Sequence, residues 1–101
     1  MSKPVYKSFL GKSTEAWYRL SEEEQAKVMD RIAASLEKLG ASGHYYDSSW
    51  SSEQWSFFGI EEFPDIEAVQ KHAEELNALE WFRYVETETI LGTASKSIEN
   101  G

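Results

Sequence analysis

A chain of 101 residues, 41% hydrophobic and 28% charged, has room for one small hydrophobic core. Its 18 acidic against 10 basic side chains, a net charge of −8, deny it the basic surface that nucleic acids and anionic membranes attract, and the lack of cysteine removes disulfides, thiolate metal sites and cysteine nucleophiles. No apolar run approaches the ~20 residues of a membrane span and no signal-peptide core follows residues 1–6, so no membrane partner and a cytoplasmic location are expected.

The first run, residues 5–10 (VYKSFL), mixes β-formers with polar residues, stops at Gly11 and reads as a strand. Residues 14–20, with Trp17 and Leu20, form a turn or helical lead-in. Ser21 and Glu24 then make a capping box, Glu22, Glu23 and Glu24 crowd the positive end of the helix dipole, and Gly40 follows the last periodic residue. Between them Val28, Ile32, Leu36 and Leu39 form one apolar stripe, which predicts a helix of about five turns. Residues 44–50 (HYYDSSW) and 54–60 (QWSFFGI), joined by the short polar link 51–53, read as an antiparallel hairpin. Pro64 stops the second of these strands, and Asp65 caps a second helix whose stripe is Ile66, Val69, Ala73 and Leu76. Leu79, Trp81, Phe82 and Tyr84 make an aromatic knot at the next turn. Residues 85–93 (VETETILGT) are the last strand, and 95–101 is a frayed tail behind one domain spanning 1–94.

Strand, helix, strand, strand, helix, strand is the order of the split βαβ unit, an α+β, ferredoxin-like βαββαβ fold with a four-stranded antiparallel sheet. Two helices cover one face of such a sheet. The hairpin puts Tyr45, Tyr46, Trp50, Trp55, Phe57 and Phe58 on both faces, six of the fourteen aromatic residues, so the open face is too apolar for a lone chain and predicts a homodimer with the two sheets face to face.

Three stretches carry a resemblance: residues 12–25 (KSTEAWYRLSEEEQ), 61–76 (EEFPDIEAVQKHAEEL) and 81–86 (WFRYVE). Over residues 4–94 the chain resembles the dimeric α+β barrel superfamily. Its T-x-x-W-x-x-L-x-x-E-E lead-in, Thr14 to Glu24, is similar to that of the small, uncharacterised darcynin-like members. The resemblance implies a dimeric α+β barrel. The superfamily holds cofactor-independent monooxygenases, muconolactone-type isomerases, haem-handling enzymes and proteins without assigned activity, and no catalytic signature of any of them transfers residue by residue.

Strand alternation groups His44, Tyr46, Ser48 and Trp50 on one face. Facing the space between two sheets, an imidazole, a phenol and an indole would hold a planar ligand and move a proton, which makes His44 and Tyr46 the candidate catalytic pair. On the next strand the more aliphatic side, Phe58 and Ile60, is expected under the helices, leaving Trp55 and Phe57 in the same inter-sheet space beside Gly59. Tyr6, Ser8, Trp50, Trp55 and Phe57 are therefore the candidate ligand-binding residues. Glu86 and Glu88 share a face with Ile90 and read as a solvated strand side or an edge guard. His72 falls at the margin of the second helix's stripe, explained by Glu75 or Glu67 on the surface. His72 and Glu75 give H-x-x-E, which alone makes no metal site, and no glycine-rich phosphate loop or serine elbow occurs, so no metal and no cofactor are expected. Two functional readings follow: a dimer that binds a small, planar, apolar ligand, with cofactor-independent oxygenase or isomerase chemistry, or a non-enzymatic binding or accessory module whose aromatics only form the dimer interface.

Overall fold

The computed structural model describes residues 3–95, so all but the first residue of the expected tail 95–101 lies outside the described residues. Strand β1 (Val5–Ser13) leads through a single helical turn, α1 (Glu15–Tyr18), into the long helix α2 (Glu22–Lys38). Strands β2 (Ser42–Asp47) and β3 (Phe57–Phe63) form a hairpin, helix α3 (Ile66–Ala78) and the turn α4 (Trp81–Tyr84) follow, and β4 (Val85–Gly92) closes the sheet. All neighbours are antiparallel in the order β2-β3-β1-β4, the α+β, ferredoxin-like arrangement expected from the element order.

Helix α2 begins where the sequence says. Ser21 Oγ accepts from Glu24 N at 3.1 Å, and the Glu24 carboxylate accepts from Ser21 N at 2.9 Å, an interaction that holds its pKa below the ordinary carboxylate value. It ends in a Schellman motif: Gly40 takes φ 71°, its N–H reaches Glu37 O, and Ala41 N–H reaches Leu36 O. Ile32 and Leu36 are buried, with Val28 and Leu39 packed beside them. Asp65 caps α3 by accepting from Ala68 N at 2.8 Å. The buried stripe of α3 is Ala68, Val69, His72 and Leu76 rather than one that includes Ile66, which lies exposed in the first turn. Val5 and Phe63, the latter 0% exposed, anchor the sheet to this core.

The hairpin differs from expectation. Its link runs from Ser48 to Ser56, not 51–53: Ser48 N–H to Ser56 O is the last backbone bond between the two arms, and inside it polar side chains capture the backbone. Asp47 accepts from Ser49 N and Oγ at 2.9 and 2.6 Å, Ser48 Oγ donates to Trp55 O, and Ser52 Oγ accepts from Trp55 N. Trp50 and Trp55 consequently lie in this link and not on strands, and Trp50 is 84% exposed. β1 in turn continues two residues beyond Gly11, which pairs with Phe57 on one side and Thr87 on the other.

Candidate functional site

Register fixes which side chains face the helices. Val5 and Phe63 are paired and buried against α3, so every second residue from them points the same way: Lys7, Phe9 and Gly11 on β1, Glu61, Gly59 and Phe57 on β3, Gly43 and Tyr45 on β2, Thr87 and Thr89 on β4. The opposite, open face carries Tyr6, Ser8 and Leu10, then Phe58 and Ile60, then His44 and Tyr46, then Glu86, Glu88 and Ile90. Phe58 and Ile60 are thus on the open face and Phe57 is on the covered one, the reverse of the aliphatic-side expectation. The reversal follows from Phe63, whose burial sets the parity of the whole strand.

Four of the sequence-based candidates, Tyr6, Ser8, His44 and Tyr46, are brought together on the open face, where the Tyr46 and Phe58 rings stack at 5.0 Å. Phe57 is on the far side of the sheet from them. Trp50 joins neither group, and Trp55 packs under the Lys12 ammonium at 5.9 Å.

Between the covered face and helices α2 and α3 lies a cleft of about 390 Å³. Phe9, Phe57 and Tyr45 form its floor, Ile32, Leu36 and Leu76 its helical wall, and Trp17, Trp81 and Phe82 one end. The rings of Trp17 and Trp81 meet edge to face at 5.9 Å, held by Thr14, whose N–H and hydroxyl donate to Tyr84 O and Arg83 O. Three glycines make the floor flat: a Cβ at Gly11 would collide with the Phe57 ring, one at Gly43 with the Tyr45 hydroxyl, and one at Gly59 would stand 2.7 Å from Phe9 and 2.9 Å from Tyr45.

Against these apolar walls stand four titratable side chains. Tyr45 donates to Glu61 Oε2 at 2.7 Å, and Lys7 Nζ lies 3.8 Å from Glu61 Oε1. His72, 1% exposed, shares a hydrogen bond at 2.8 Å between its Nδ1 and Ser35 Oγ and packs against the Phe63 ring. Burial lowers the Lys7 pKa, with the Glu61 charge opposing. It raises that of Tyr45, helped by the hydrogen bond to the Glu61 carboxylate and by its charge. The His72 pKa falls to about 4, first through burial and then through the Lys7 charge, with Glu75 acting the other way. At neutral pH the His72 imidazole behind the cleft wall and the Tyr45 phenol on its floor are therefore neutral, and the Lys7–Glu61 ion pair lies beside them.

None of Lys7, Tyr45, Glu61 and His72 was singled out as a site residue by sequence reasoning. His72, expected at the surface, is in the core because Ser35 of α2 supplies its polar partner. The available signal was the shared parity of Lys7 with Val5 and of Glu61 with Phe63. Among the described residues, no group of three or more histidine, aspartate or glutamate side chains is placed to hold a metal ion.

Residues 10–99 match the family of unknown function DUF6616. The chain belongs to that family. No curated protein matches this DUF6616 chain in sequence. Among solved structures it is similar to the chlorite dismutase of Candidatus Nitrospira defluvii in complex with imidazole, with TM-score 0.73, 20% identity, and coverage of 94% of this chain and 42% of that one. It is also similar to a haem-binding protein of Thermus thermophilus, with TM-score 0.70, 18% identity, and coverage of 92% and 40%. At such identities the likeness is one of fold, and the DUF6616 chain spans less than half the length of these structures. No helix among the described residues is long and apolar enough to cross a membrane.

Proposed function

We propose that this DUF6616 protein binds a small, planar, largely apolar molecule in the cleft between α2, α3 and the covered face of its sheet. The observation that carries the reading is the convergence of the Lys7–Glu61 ion pair with Tyr45 and His72, the Lys7, Tyr45 and His72 pKa values all displaced first by burial, among aromatic and aliphatic walls of suitable volume. Haem, which the Thermus protein binds, does not fit this cleft. The one imidazole that lines it is 1% exposed, and about 390 Å³ lies near the lower end of the range for small-molecule sites, short of what a tetrapyrrole macrocycle fills. The Thr14 to Glu24 lead-in supports kinship with darcynin-like proteins as part of the same reading.

The test is a titration with 2-methoxynaphthalene followed by tryptophan fluorescence, since Trp17 and Trp81 line one end of the cleft. Saturable quenching is expected in the parent protein and its loss in Thr87→Trp, which projects an indole from β4 into the same space. Quenching that never saturates, or that Thr87→Trp leaves intact, refutes the reading.

The open face supports a second part of the proposal, a homodimer. Leu10, Tyr46, Phe58, Ile60 and Ile90 are all exposed there, an apolar surface of the kind that a two-fold partner buries. In this assignment Tyr6, Ser8, His44 and Tyr46 serve the subunit contact, and the aromatic excess divides between an interface and a ligand site. Light scattering should give twice the chain mass for the parent protein and the chain mass for Ile60→Lys; a monomeric parent overturns the assignment.

A further inference from the structure

Lys7 and Glu61 are register partners on β1 and β3, side by side on the cleft floor. Their charged atoms stand 3.8 Å apart, beyond the roughly 2.7–3.2 Å of an N–H···O hydrogen bond. Glu61 Oε2 is taken by Tyr45, whereas Oε1 is buried with no hydrogen-bond partner among the described residues. Among the described residues the Lys7 ammonium makes this ion pair, lies 6.0 Å from the Phe9 ring and acts electrostatically on His72 but makes no hydrogen bond, and its side chain keeps 15% of its surface open. A donor and an acceptor are thus both unused, at a separation too long for one hydrogen bond and short enough to be bridged. At such a distance one bridging oxygen, of a water or of a ligand hydroxyl, can hydrogen-bond both groups.

Charge selects the kind of bridge. Lys7 and Glu61 already neutralise one another, so a carboxylate on the ligand would sit uncompensated beside Glu61, and an ammonium uncompensated beside Lys7, each at a heavy desolvation cost. A neutral hydroxyl meets both needs: its oxygen accepts from Lys7 Nζ and its proton is donated to Glu61 Oε1. The flexible lysine stem lets the pair open to admit it. The apolar remainder of such a ligand then lies on the flat floor of Phe9 and Phe57.

We propose that the cleft takes a planar aromatic alcohol, a phenol or naphthol, whose hydroxyl inserts between Lys7 Nζ and Glu61 Oε1. This rests on the reading of the cleft as a ligand site, and the test separates the two. Dissociation constants of 2-naphthol, 2-methoxynaphthalene and 2-naphthoate are measured by calorimetry on the full chain and on the double variant Lys7→Met, Glu61→Leu. That variant replaces the pair by apolar residues of similar volume, a change that folds tolerate, and circular dichroism confirms its fold. The expected result is about tenfold or tighter binding of 2-naphthol than of 2-methoxynaphthalene in the parent, the scale of a hydrogen bond to a charged group. In the double variant that preference should vanish, the dissociation constants of 2-naphthol and 2-methoxynaphthalene converging. Equal affinities in the parent, a preference that survives the double substitution, or tightest binding of 2-naphthoate overturns the hydroxyl assignment and leaves the cleft standing. Binding of none of the three overturns the cleft and the assignment together.

Discussion

His72 should make the stability of the protein fall as the solution is acidified through the weakly acidic range. In the unfolded chain its imidazole takes a proton at pH 6.5, whereas in the folded chain burial beside Phe63, with Lys7 nearby, delays that to about 4, even though Glu75, hydrogen-bonded to Arg31 at 2.7 Å, pulls the other way. Between those two values the unfolded state holds more protons than the folded one, so stability decreases as pH decreases. The contribution is fully present above 6.5, is lost progressively below it, and changes no further once pH passes below the folded value. At 1.36 kcal/mol per pH unit the interval amounts to about 3 kcal/mol, a large part of the about 5–15 kcal/mol that small domains possess. Urea unfolding of the parent and of His72→Gln at pH 7, 6, 5 and 4 isolates the effect, because the carboxylates titrate alike in both. The parent should lose about 1–3 M more in midpoint than the variant over that span. Proton NMR gives a direct check, with exposed His44 as the second imidazole signal. Parallel pH profiles, or a His72 resonance with its midpoint near 6.5, would refute the reasoning.

Gly59→Ala should destabilise the fold by about 1–3 kcal/mol in urea unfolding and weaken binding of 2-methoxynaphthalene, because its Cβ would press on Phe9, Tyr45 and the His44 carbonyl, whereas Gly92→Ala, with open space around it, should do neither. Equal effects of the two would show that the floor glycines are not needed for space. Ser21→Ala should cost about 1 kcal/mol by removal of the capping box, read as a lower urea midpoint with an unchanged slope.

The fold was legible because its signals are local. Ser21 with Glu24, Gly40 after Leu39, Asp65 after Pro64, and the spacing of Val28, Ile32 and Leu36 each fix an element end or face by chemistry within a few residues. The loop at 48–56 was less so: Trp50 and Trp55 have strand-forming side chains, and only the serine and aspartate hydrogen bonds around them show that backbone pairing stops at Ser48 and Ser56. The site was hidden for a different reason. Assigning the more aliphatic side of β3 to the helices is sound when a covered face is filled by aliphatic residues, but here that face carries Lys7, Glu61, Gly11, Gly43 and Gly59. Polar and glycine positions on a covered face look like a solvated side until a buried residue of the same parity, Phe63, is taken as the reference.

That composition is what leaves a cleft where a ferredoxin-like layer pair would ordinarily be packed solid. On a pleated sheet a side chain normally stands upright between its neighbours' Cβ atoms. Phe57 lies instead over Gly11, and Tyr45 and Phe9 lean into the space above Gly43 and Gly59, so three large rings are spread along the sheet and not raised against α2 and α3. The tilt of Tyr45 then carries its hydroxyl to Glu61, which fixes the carboxylate, and the carboxylate in turn attracts the partly buried Lys7 ammonium at the floor. A Cβ at Gly43 or Gly59 would press Tyr45 off the sheet, into the cleft and away from Glu61, and one at Gly11 would lift the Phe57 ring into the same space. The flat floor and the polar cluster are therefore one device, and the part of the aromatic excess that the helices cover serves to keep space open.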